Sequence, residues 1–564
     1  MTYYTINTNV LPYVYNPVVS SEKPSLAESQ SNSKAYTFQG MLTYANTFGG
    51  KHSVSALAVV EARQVDYRNL SASRTNFDLN IPELSMGNSN SSNWSNGGGS
   101  SKATQVGYVY RVSYEYDHKY LLETAGRYDG NYYFAKGKKF GFFPSVSAGW
   151  RVSEEPFIKN NLPWLNNLKL RASWGESGNL AGSAFQYSSA MNVYGGAYVF
   201  DGYLYQGVAE SLEPNVNITW EKARKTNVGI DIGLWNNRLT LEADYFYERR
   251  NNMLVSPQTV VPIEYGIGIA QENAGVMENS GVEFTLGGNY SFASGLRLEG
   301  SFNFTYARNK ILQIFENPLT RDNPLRARTG RPLNTPFGLK AERLYQESDF
   351  DEYGNLWLDL PQPTFSEVAP GDIKWADLNG DGVIDGADET ALGYPRLPQI
   401  IYGFTLKALF RGLDFSALFQ GAGQSTTFID GGLAFPFAGG ENPPRAAKDY
   451  WTPENTDATY PRLYGTGGGN SNNFRRGNND WFRRSGNYLR LKNIELGYTF
   501  SRAMFPKLPL QSIRLYLSGQ NLWTVSDLKD FYDPEMGQVG DDANTRGWYS
   551  PQRKIVSVGL NITF

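Results

Sequence analysis

The chain has 564 residues, no cysteine, two histidines and a formal net charge of −3. These values exclude a disulfide framework and a thiolate metal site, leave few ligands for zinc or iron, and give no basic footprint for nucleic acid. Aromatic residues make up 14% of the chain and 58 residues are glycine, a composition typical of membrane barrels with aromatic girdles. No apolar run of about 18 residues occurs, which excludes a helical membrane span.

Alternation of apolar and polar residues predicts long, two-faced β-strands along the chain. From Val106 to Tyr116 every second residue is Val or Tyr, and only Val109 interrupts the polar row. Residues 296–307 show the same period of two, which is the period of a strand. These lengths suit membrane-crossing strands of about 9–11 residues. We predict fifteen strands, at residues 36–48, 53–67, 104–117, 120–129, 140–153, 167–178, 219–233, 237–250, 281–292, 296–309, 400–410, 413–422, 487–500, 511–524 and 553–564.

The predicted connections alternate between short and long, and 130–139 and 154–166 are the one ambiguous pair. Those at 118–119 and 411–412 are short, whereas those at 179–218 and 310–399 are long. Outer-membrane barrels have tight periplasmic turns and long extracellular loops. We therefore predict an all-β, antiparallel transmembrane β-barrel in the outer membrane of a Gram-negative bacterium, surrounded by lipid, with strand 36–48 running towards the periplasm.

The strand count predicts a partial barrel. Bacterial single-chain barrels have an even number of strands, whereas fifteen is odd. Residues 1–9 lack the positive region and apolar core that open a signal peptide. We expect residues 1–35 to be the remnant of an extracellular loop and residues 36–564 to be the barrel part.

A calcium-type loop is predicted as an insertion at about residues 370–390, in the longest connection. Its oxygen-bearing residues follow the spacing of an EF-hand loop, with Gly382 at the sixth position. The predicted ligands are the side chains of Asp377, Asn379, Asp381 and Asp388, the main-chain carbonyl of Val383, and Asp385 directly or through water. The last ligand is Asp instead of the usual Glu, and no flanking amphipathic helices are visible. We therefore predict a structural Ca²⁺, with a regulatory sensor and an ion-free loop as the alternatives.

Other candidate sites are weaker, and we predict no catalytic or organic-cofactor site. The glycine-rich segment 465–470 lacks the lysine of a phosphate-binding loop. Adjacent Glu154 and Glu155 should point apart on a short turn. Six aromatic residues of the predicted loops could stack on sugars or peptides, although packing is the more common role. They are Trp94, Tyr194, Tyr198, Tyr203, Tyr205 and Trp451.

Five motifs resemble the SusC/RagA family of TonB-dependent outer-membrane transporters. They are PGDIKWADLNGDGVID at 370–385, FPSVSAGW at 143–150, RASWGESGN at 171–179, NYLRLKNIELGY at 487–498 and SGQNLWT at 518–524. The resemblance implies a plugged barrel of the 22-stranded class, of which this chain supplies about fifteen C-terminal strands. It also implies uptake of oligosaccharides or peptides with a SusD-like surface lipoprotein. The plug domain and the TonB box have no counterpart here, so contact with TonB is expected through a missing N-terminal part.

Two other function classes stay open from the residues alone. The first alternative is a secreted, calcium-stabilised carbohydrate-binding β protein, which would explain the calcium-type loop and the aromatics but not the alternating loop lengths. A glycoside hydrolase is the third possibility. It requires two facing carboxylates on rigid strands, and the sequence alone establishes no such pair.

Overall fold

The computed structural model describes residues 23–79, 81–257, 263–430, 433–437, 442–464, 472–473, 478–504, 509–531, 533–535 and 552–564. Within them, fifteen long strands form one antiparallel sheet in which each strand pairs with its neighbours along the chain. The strands are β1 Leu26–Phe48, β2 His52–Arg74, β3 Trp94–Tyr116, β4 Tyr120–Asn131, β5 Phe140–Arg151, β6 Leu165–Asn179, β7 Glu221–Leu234, β8 Leu239–Val255, β9 Glu272–Ser291, β10 Arg297–Gln313, β11 Ile400–Phe410, β12 Leu413–Gly423, β13 Tyr488–Ser501, β14 Ser512–Ser526 and β15 Ile555–Thr563. The predicted fold class and all fifteen strands are confirmed.

The first three strands are longer than predicted. β1 begins at Leu26, so residues 26–35, which we expected to be loop, continue the strand. The β2–β3 ladder runs without a register shift from the turn to the pair Arg74 and Trp94. These extensions are rich in Ser, Asn and Gly and show no alternation. Backbone hydrogen bonds extend a ladder without a side-chain pattern, which is why the strands predicted from the sequence are too short.

The two faces of the sheet differ in polarity. On β13, Leu496 lies opposite Leu517 of β14, and the two side chains are 51% and 50% exposed. Its neighbour Glu495 lies on the other face, where it is hydrogen-bonded to Arg514. An extended exposed apolar face requires an apolar environment, which agrees with the two-faced strands that the alternation of residues predicts. No helix among the described residues is both long enough and apolar enough to span a membrane.

Short and long connections alternate, as predicted, except that the turn-end connection 152–164 is longer than the loop-end connection 132–139. The sheet therefore has a turn end and a loop end. At the turn end, β11 and β12 are joined by Arg411 and Gly412 alone, with φ of +47° and +90°. Two consecutive positive φ angles are typical of a type I′ turn, whose twist matches that of the paired strands. Because one end is closed by turns of this kind, the longer connections gather at the other end.

The two longest connections, 314–399 and 424–487, pack together at the loop end, and we call their described residues the loop assembly. One core cluster of the assembly consists of Leu339, Leu344, Ile373, Trp375, Ile384, Trp451 and Ala458. Its short strand pairs are Phe337–Gly338 with Thr390–Ala391, Ala341–Leu344 with Ile373–Trp375, Gln362–Pro363 with Val383–Ile384, and Thr426–Phe428 with Arg483–Ser485. The loop end is therefore a folded unit with its own hydrophobic core.

Other short elements complete the described structure. Between β6 and β7, strands Ala190–Phe200 and Tyr203–Glu213 form a hairpin, to which Gly268–Ile269 adds. The α-helices are Pro156–Lys159 and Pro318–Arg321. The described 3₁₀ turns are Leu84–Met86, Ser91–Asn93, Val152–Glu154, Ile263–Tyr265, Glu347–Asp349, Gly386–Asp388, Arg445–Lys448, Asp480–Phe482 and Arg502–Met504.

Candidate functional site

The polar face of the sheet carries charged side chains that pair across adjacent strands and across strands two apart. Arg171 of β6 donates to Asp231 of β7 at 3.0 Å and to Asp244 of β8 at 2.6 Å. Arg514 of β14 binds Asp414 of β12 in the same way, with Nε 3.0 Å from Oδ2. Because each arginine neutralises acids of other strands, this face is hydrophilic without a large charge of one sign.

The same pairing bears on the hydrolase alternative. Glu115 accepts a hydrogen bond from His118, Glu299 lies 2.7 Å from Arg297, and Asp244 is bound by Arg171. A glycosidase needs two carboxyl groups that face each other across a substrate. These strand acids instead face basic groups, so the arrangement offers charge compensation.

Glu154 and Glu155 point apart, as predicted for adjacent residues of a turn. Glu154 lies 2.8 Å from Nζ of Lys159. Glu155 accepts hydrogen bonds from the hydroxyl of Tyr120 at 2.6 Å and from the indole of Trp150 at 3.1 Å. The two carboxylates therefore serve separate contacts.

The calcium-type loop is wrapped around its own carboxylates. Asp377 accepts hydrogen bonds from the main-chain N–H groups of Gly380 at 2.7 Å and Gly382 at 2.9 Å. Both glycines have positive φ, +76° and +80°, a conformation that costs a residue with a Cβ about 1–2 kcal/mol. The fully buried Asp388 closes the loop by accepting from the N–H groups of Leu378 and Asp385.

The remaining predicted ligands lie at the tip and near the end of the loop. Asp381 accepts from the side-chain amide of Asn379 at 2.9 Å and from the N–H of Val383 at 2.9 Å. Asp385 accepts from the N–H of Ala387. Within the part of the chain that the structure describes, no three carboxylate or imidazole groups gather closely enough to hold a metal ion. In this conformation the loop carboxylates bind main-chain and side-chain N–H groups.

Buried contacts fasten this loop to the loop assembly. Ile384, at the eighth position of the loop, is fully buried in the core cluster with Trp375. Just before the loop, Asp372 is fully buried and accepts two hydrogen bonds from Arg462, at 2.6 and 3.0 Å. The amide of Asn473 donates to Asp372 as well, at 2.8 Å. The motif at 370–385 is therefore a structural centre of the loop end.

The aromatic candidates fall into two groups. Trp451 is buried in the core cluster, so its role is packing. Trp94 is exposed at the start of β3, where its ring lies under the guanidinium of Arg74 at 4.3 Å. The exposed tyrosines Tyr194, Tyr198, Tyr203 and Tyr205 belong to the hairpin between β6 and β7. The segment 465–470 lies outside the described residues.

The hairpin itself is the main feature that the sequence reasoning missed. Its turn is Asp201-Gly202, with φ of +49° and +79°. An Asp-Gly pair between apolar runs is among the strongest short-range signals of a hairpin, so the sequence did contain the information. The hairpin was not predicted because residues 179–218 were interpreted as one long connection.

Comparisons with known proteins agree with this architecture. A family model described as TonB dependent receptor-like, β-barrel, matches residues 2–522. TonB-dependent receptor P26 of Formosa agariphila is 28% identical over 94% of this chain and 53% of its own length. TonB-dependent receptor SusC of Bacteroides thetaiotaomicron is 26% identical over 82% of this chain and 44% of its own length. The chain thus spans about half the length of the curated relatives it matches.

Solved structures show the same fold. The structure of the RagAB peptide transporter superimposes with a TM-score of 0.74, covering 95% of this chain and 56% of that chain at 23% identity. The closed-closed state of the RagAB peptide importer gives a TM-score of 0.75 at 22% identity. The fifteen-stranded two-faced sheet, the folded loop end and the matching family model lead to one assignment. The chain belongs to the TonB-dependent receptor-like β-barrel family, is of the SusC/RagA type and resides in the outer membrane of Gram-negative bacteria.

Proposed function

We propose that this chain forms the barrel part of a TonB-dependent importer that takes up oligosaccharides or peptides across the outer membrane. The observation that supports the proposal most directly is the sheet with one apolar and one polar face, of which Leu496 and Glu495 are the clearest pair. In such barrels the apolar face meets lipid and the polar face lines the lumen. The similarity to the RagAB peptide transporter supports peptides as one substrate class, and the motifs that resemble the SusC/RagA family support oligosaccharides as the other.

Uptake by living cells tests this proposal. The gene is deleted in its host, and uptake of labelled neutral oligosaccharides and of labelled peptides is measured with and without complementation. We expect uptake of one class to fall on deletion, to return on complementation, and to vanish when TonB is deleted. Unchanged uptake after deletion, or full uptake without TonB, would contradict the proposal.

We further propose that a SusD-like surface lipoprotein binds the hairpin Ala190–Phe200 and Tyr203–Glu213. Phe200 and Tyr203, on either side of its turn, are 62% and 70% exposed, and Val199 and Leu204 beside them are equally open. An exposed apolar patch of this kind marks a protein interface more often than a free surface. The hairpin lies at the loop end, which faces the cell exterior in this family.

Co-purification with the neighbouring lipoprotein tests the assignment of this surface. The double substitution Phe200→Ser and Tyr203→Ser should lower the yield of the complex strongly, because both anchors leave the interface. Phe157→Ser provides a control, since Phe157 is equally exposed but lies at the turn end. Equal yields from both variants would show that the hairpin is not the docking surface.

The calcium-type loop is proposed to hold one structural Ca²⁺. Oxygen ligands would come from the side chains of Asp377, Asn379, Asp381 and Asp388, the Val383 carbonyl, and Asp385 directly or through water. The wrapped backbone, the two glycines with positive φ and the buried Ile384 support the fit. Binding would replace the hydrogen bond between Asn379 and Asp381 with contacts to the ion. When bound, the ion would supply positive charge that holds the loop closed.

A further inference from the structure

A cleft of about 980 Å³ opens in the loop assembly between the segments 351–358 and 362–368. It lies away from the polar face of the sheet, in the connection between β10 and β11. Its lining includes Asp351, Trp357, Gln362, Thr364, Ser366 and Glu367. Aromatic and aliphatic side chains with a few polar groups among them are the usual lining of a small-molecule site, and this cleft has the same components.

Trp357 is held in place by both of its N–H groups. Its main-chain N–H donates to the carbonyl of Asp349 at 3.1 Å, and its indole Nε1 donates to the carbonyl of Ser348 at 3.1 Å. Asp349 is held in turn by Arg343, at 2.6 and 2.8 Å. The side chain nevertheless remains 48% exposed. Since its polar edge is satisfied within the protein, the exposed part of Trp357 is mostly ring surface.

The opposite wall of the cleft is fastened to the calcium-type loop. Gln362–Pro363 pairs in parallel with Val383–Ile384. The N–H of Gln362 donates to the carbonyl of Gly382 at 3.0 Å, and the N–H of Thr364 donates to the carbonyl of Ile384 at 3.2 Å. Because Ile384 is fully buried in the core cluster, this wall is rigid. Both sides of the cleft are therefore preformed.

The polar groups of the lining favour a neutral ligand that is rich in hydroxyl groups. The hydroxyls of Thr364 and Ser366 donate to the carbonyls of Ile384 and Glu367, so towards a ligand they act as acceptors. Asp351 accepts hydrogen bonds from Tyr353 and Asn355, and Glu367 adds a second carboxylate to the lining. Carboxylates accept hydrogen bonds from hydroxyl donors and repel anions. The lining residues include no Lys, Arg or His, so an acidic ligand would find no charge partner. A sugar ring has an apolar C–H face that stacks on an aromatic ring and a rim of hydroxyls for the polar groups.

We propose that this cleft binds a neutral oligosaccharide, with one sugar ring stacked on Trp357. This inference rests on the proposed import function and narrows its substrate from oligosaccharides or peptides to neutral oligosaccharides. The cleft would capture the glycan at the cell surface, outside the lumen. A second protein as occupant fits less well, because protein interfaces concentrate apolar residues at the centre and polar ones at the rim, whereas this lining mixes polar and apolar side chains.

The full-length protein, purified in detergent, is applied to an array that carries neutral oligosaccharides, acidic oligosaccharides and peptides. The strongest neutral binder is then titrated calorimetrically against wild type, Trp357→Ala and Trp94→Ala. Trp94 is the matched control, because it is also 48% exposed and its indole also donates to a carbonyl, that of Asn88. We expect Trp357→Ala to weaken binding by about tenfold or more, the factor that corresponds to ~1.4 kcal/mol, and Trp94→Ala to leave it unchanged.

Retention of the wild-type unfolding temperature shows that each variant is folded. If Trp357→Ala is unfolded, Trp357→Phe replaces it, and an intermediate affinity is expected because a smaller ring still stacks. The proposal fails if no neutral glycan binds, if only acidic glycans or peptides bind, or if the two tryptophan variants behave alike. Binding by the purified protein requires neither TonB nor the lipoprotein, so failure of uptake and failure of this site are distinguishable.

Discussion

Arg462 and Asp372 form a charged pair that joins the two longest connections of the barrel. Nε and Nη2 of Arg462 donate to the two carboxylate oxygens of Asp372, at 2.6 and 3.0 Å. The carboxylate is fully buried, and the amide of Asn473 and the N–H of Ala369 also donate to it. The buried negative charge is stable only while these donors are present. The pair therefore helps to hold the calcium-type loop against the core cluster.

Removal of the arginine should loosen the loop assembly. Arg462→Met keeps much of the side-chain volume but leaves a buried carboxylate without its charge partner, which costs about 3–5 kcal/mol. We expect faster proteolysis of the two connections while the barrel strands stay protected. The control is Arg321→Met, because Arg321 pairs with the adjacent and exposed Asp322, and solvent-exposed pairs contribute little to stability. Equal protease resistance of wild type and Arg462→Met would contradict this role.

The division of faces on β13 and β14 predicts unequal effects of an introduced charge. Leu496→Arg places the guanidinium on the apolar face and should destabilise the barrel by about 2–4 kcal/mol if the site is near the membrane midplane. Ser518→Arg is the matched control, because Ser518 lies opposite Glu495 on the polar face. Its destabilisation should be small. Urea unfolding in detergent or lipid measures both, and comparable losses would show that the faces are wrongly assigned.

The barrel strands could be predicted because burial on one face only imposes a period of two. Between Val106 and Tyr116 this period is almost uninterrupted, and the predicted strand agrees with the end of β3 to within one residue. The start of β3 at Trp94 could not be found in this way. Residues 94–103 extend β3 outside the segment in which apolar and polar residues alternate. They are held to β2 by backbone pairing.

The loop assembly could not be predicted, because its contacts join residues that lie far apart in the sequence. The indole of Trp375 donates to Oδ1 of Asn472, and the main-chain N–H of Ile373 donates to Oδ1 of Asn473. No local periodicity reports such pairs. The calcium-type loop is different, since ligand spacing within twelve residues is a local property that a sequence displays. Its attachment through Ile384 and Gln362 required the structure.

Protonation of Asp349 should weaken the segment that carries Trp357. The hydrogen bond from Arg343 holds the pKa of Asp349 below its usual value, and the N–H of Gln346 adds to this effect. A lowered pKa in the folded state means that the ionised form stabilises the fold above the ordinary carboxyl pKa of about 3.9, and that this stability disappears as the pH falls through the folded-state pKa.

Comparison of wild type with Asp349→Asn isolates this contribution. At pH 7 the variant should unfold at a lower temperature than wild type, and the difference should shrink as the pH falls below about 4. Near-ultraviolet circular dichroism at pH 7 and pH 3 measures both. Asp359→Asn is the control, because Asp359 is exposed. A difference between wild type and Asp349→Asn that is independent of pH would show that charge is not the cause.

Loss of a central carboxylate should abolish calcium binding by the loop. Asp381→Ala removes an oxygen ligand and a negative charge that the remaining groups cannot replace around a divalent ion. We expect terbium luminescence and calorimetry with Ca²⁺ to detect one site in wild type and none in this variant. Asp359→Ala changes an exposed acid of the same connection outside the calcium-type loop, and this variant should bind calcium as wild type does.

Because Gln362–Pro363 pairs with Val383–Ile384, calcium removal should also raise proteolysis of the segment 362–368. Unchanged calcium affinity in Asp381→Ala would refute the proposed ligand set, and absence of binding in wild type would refute the site.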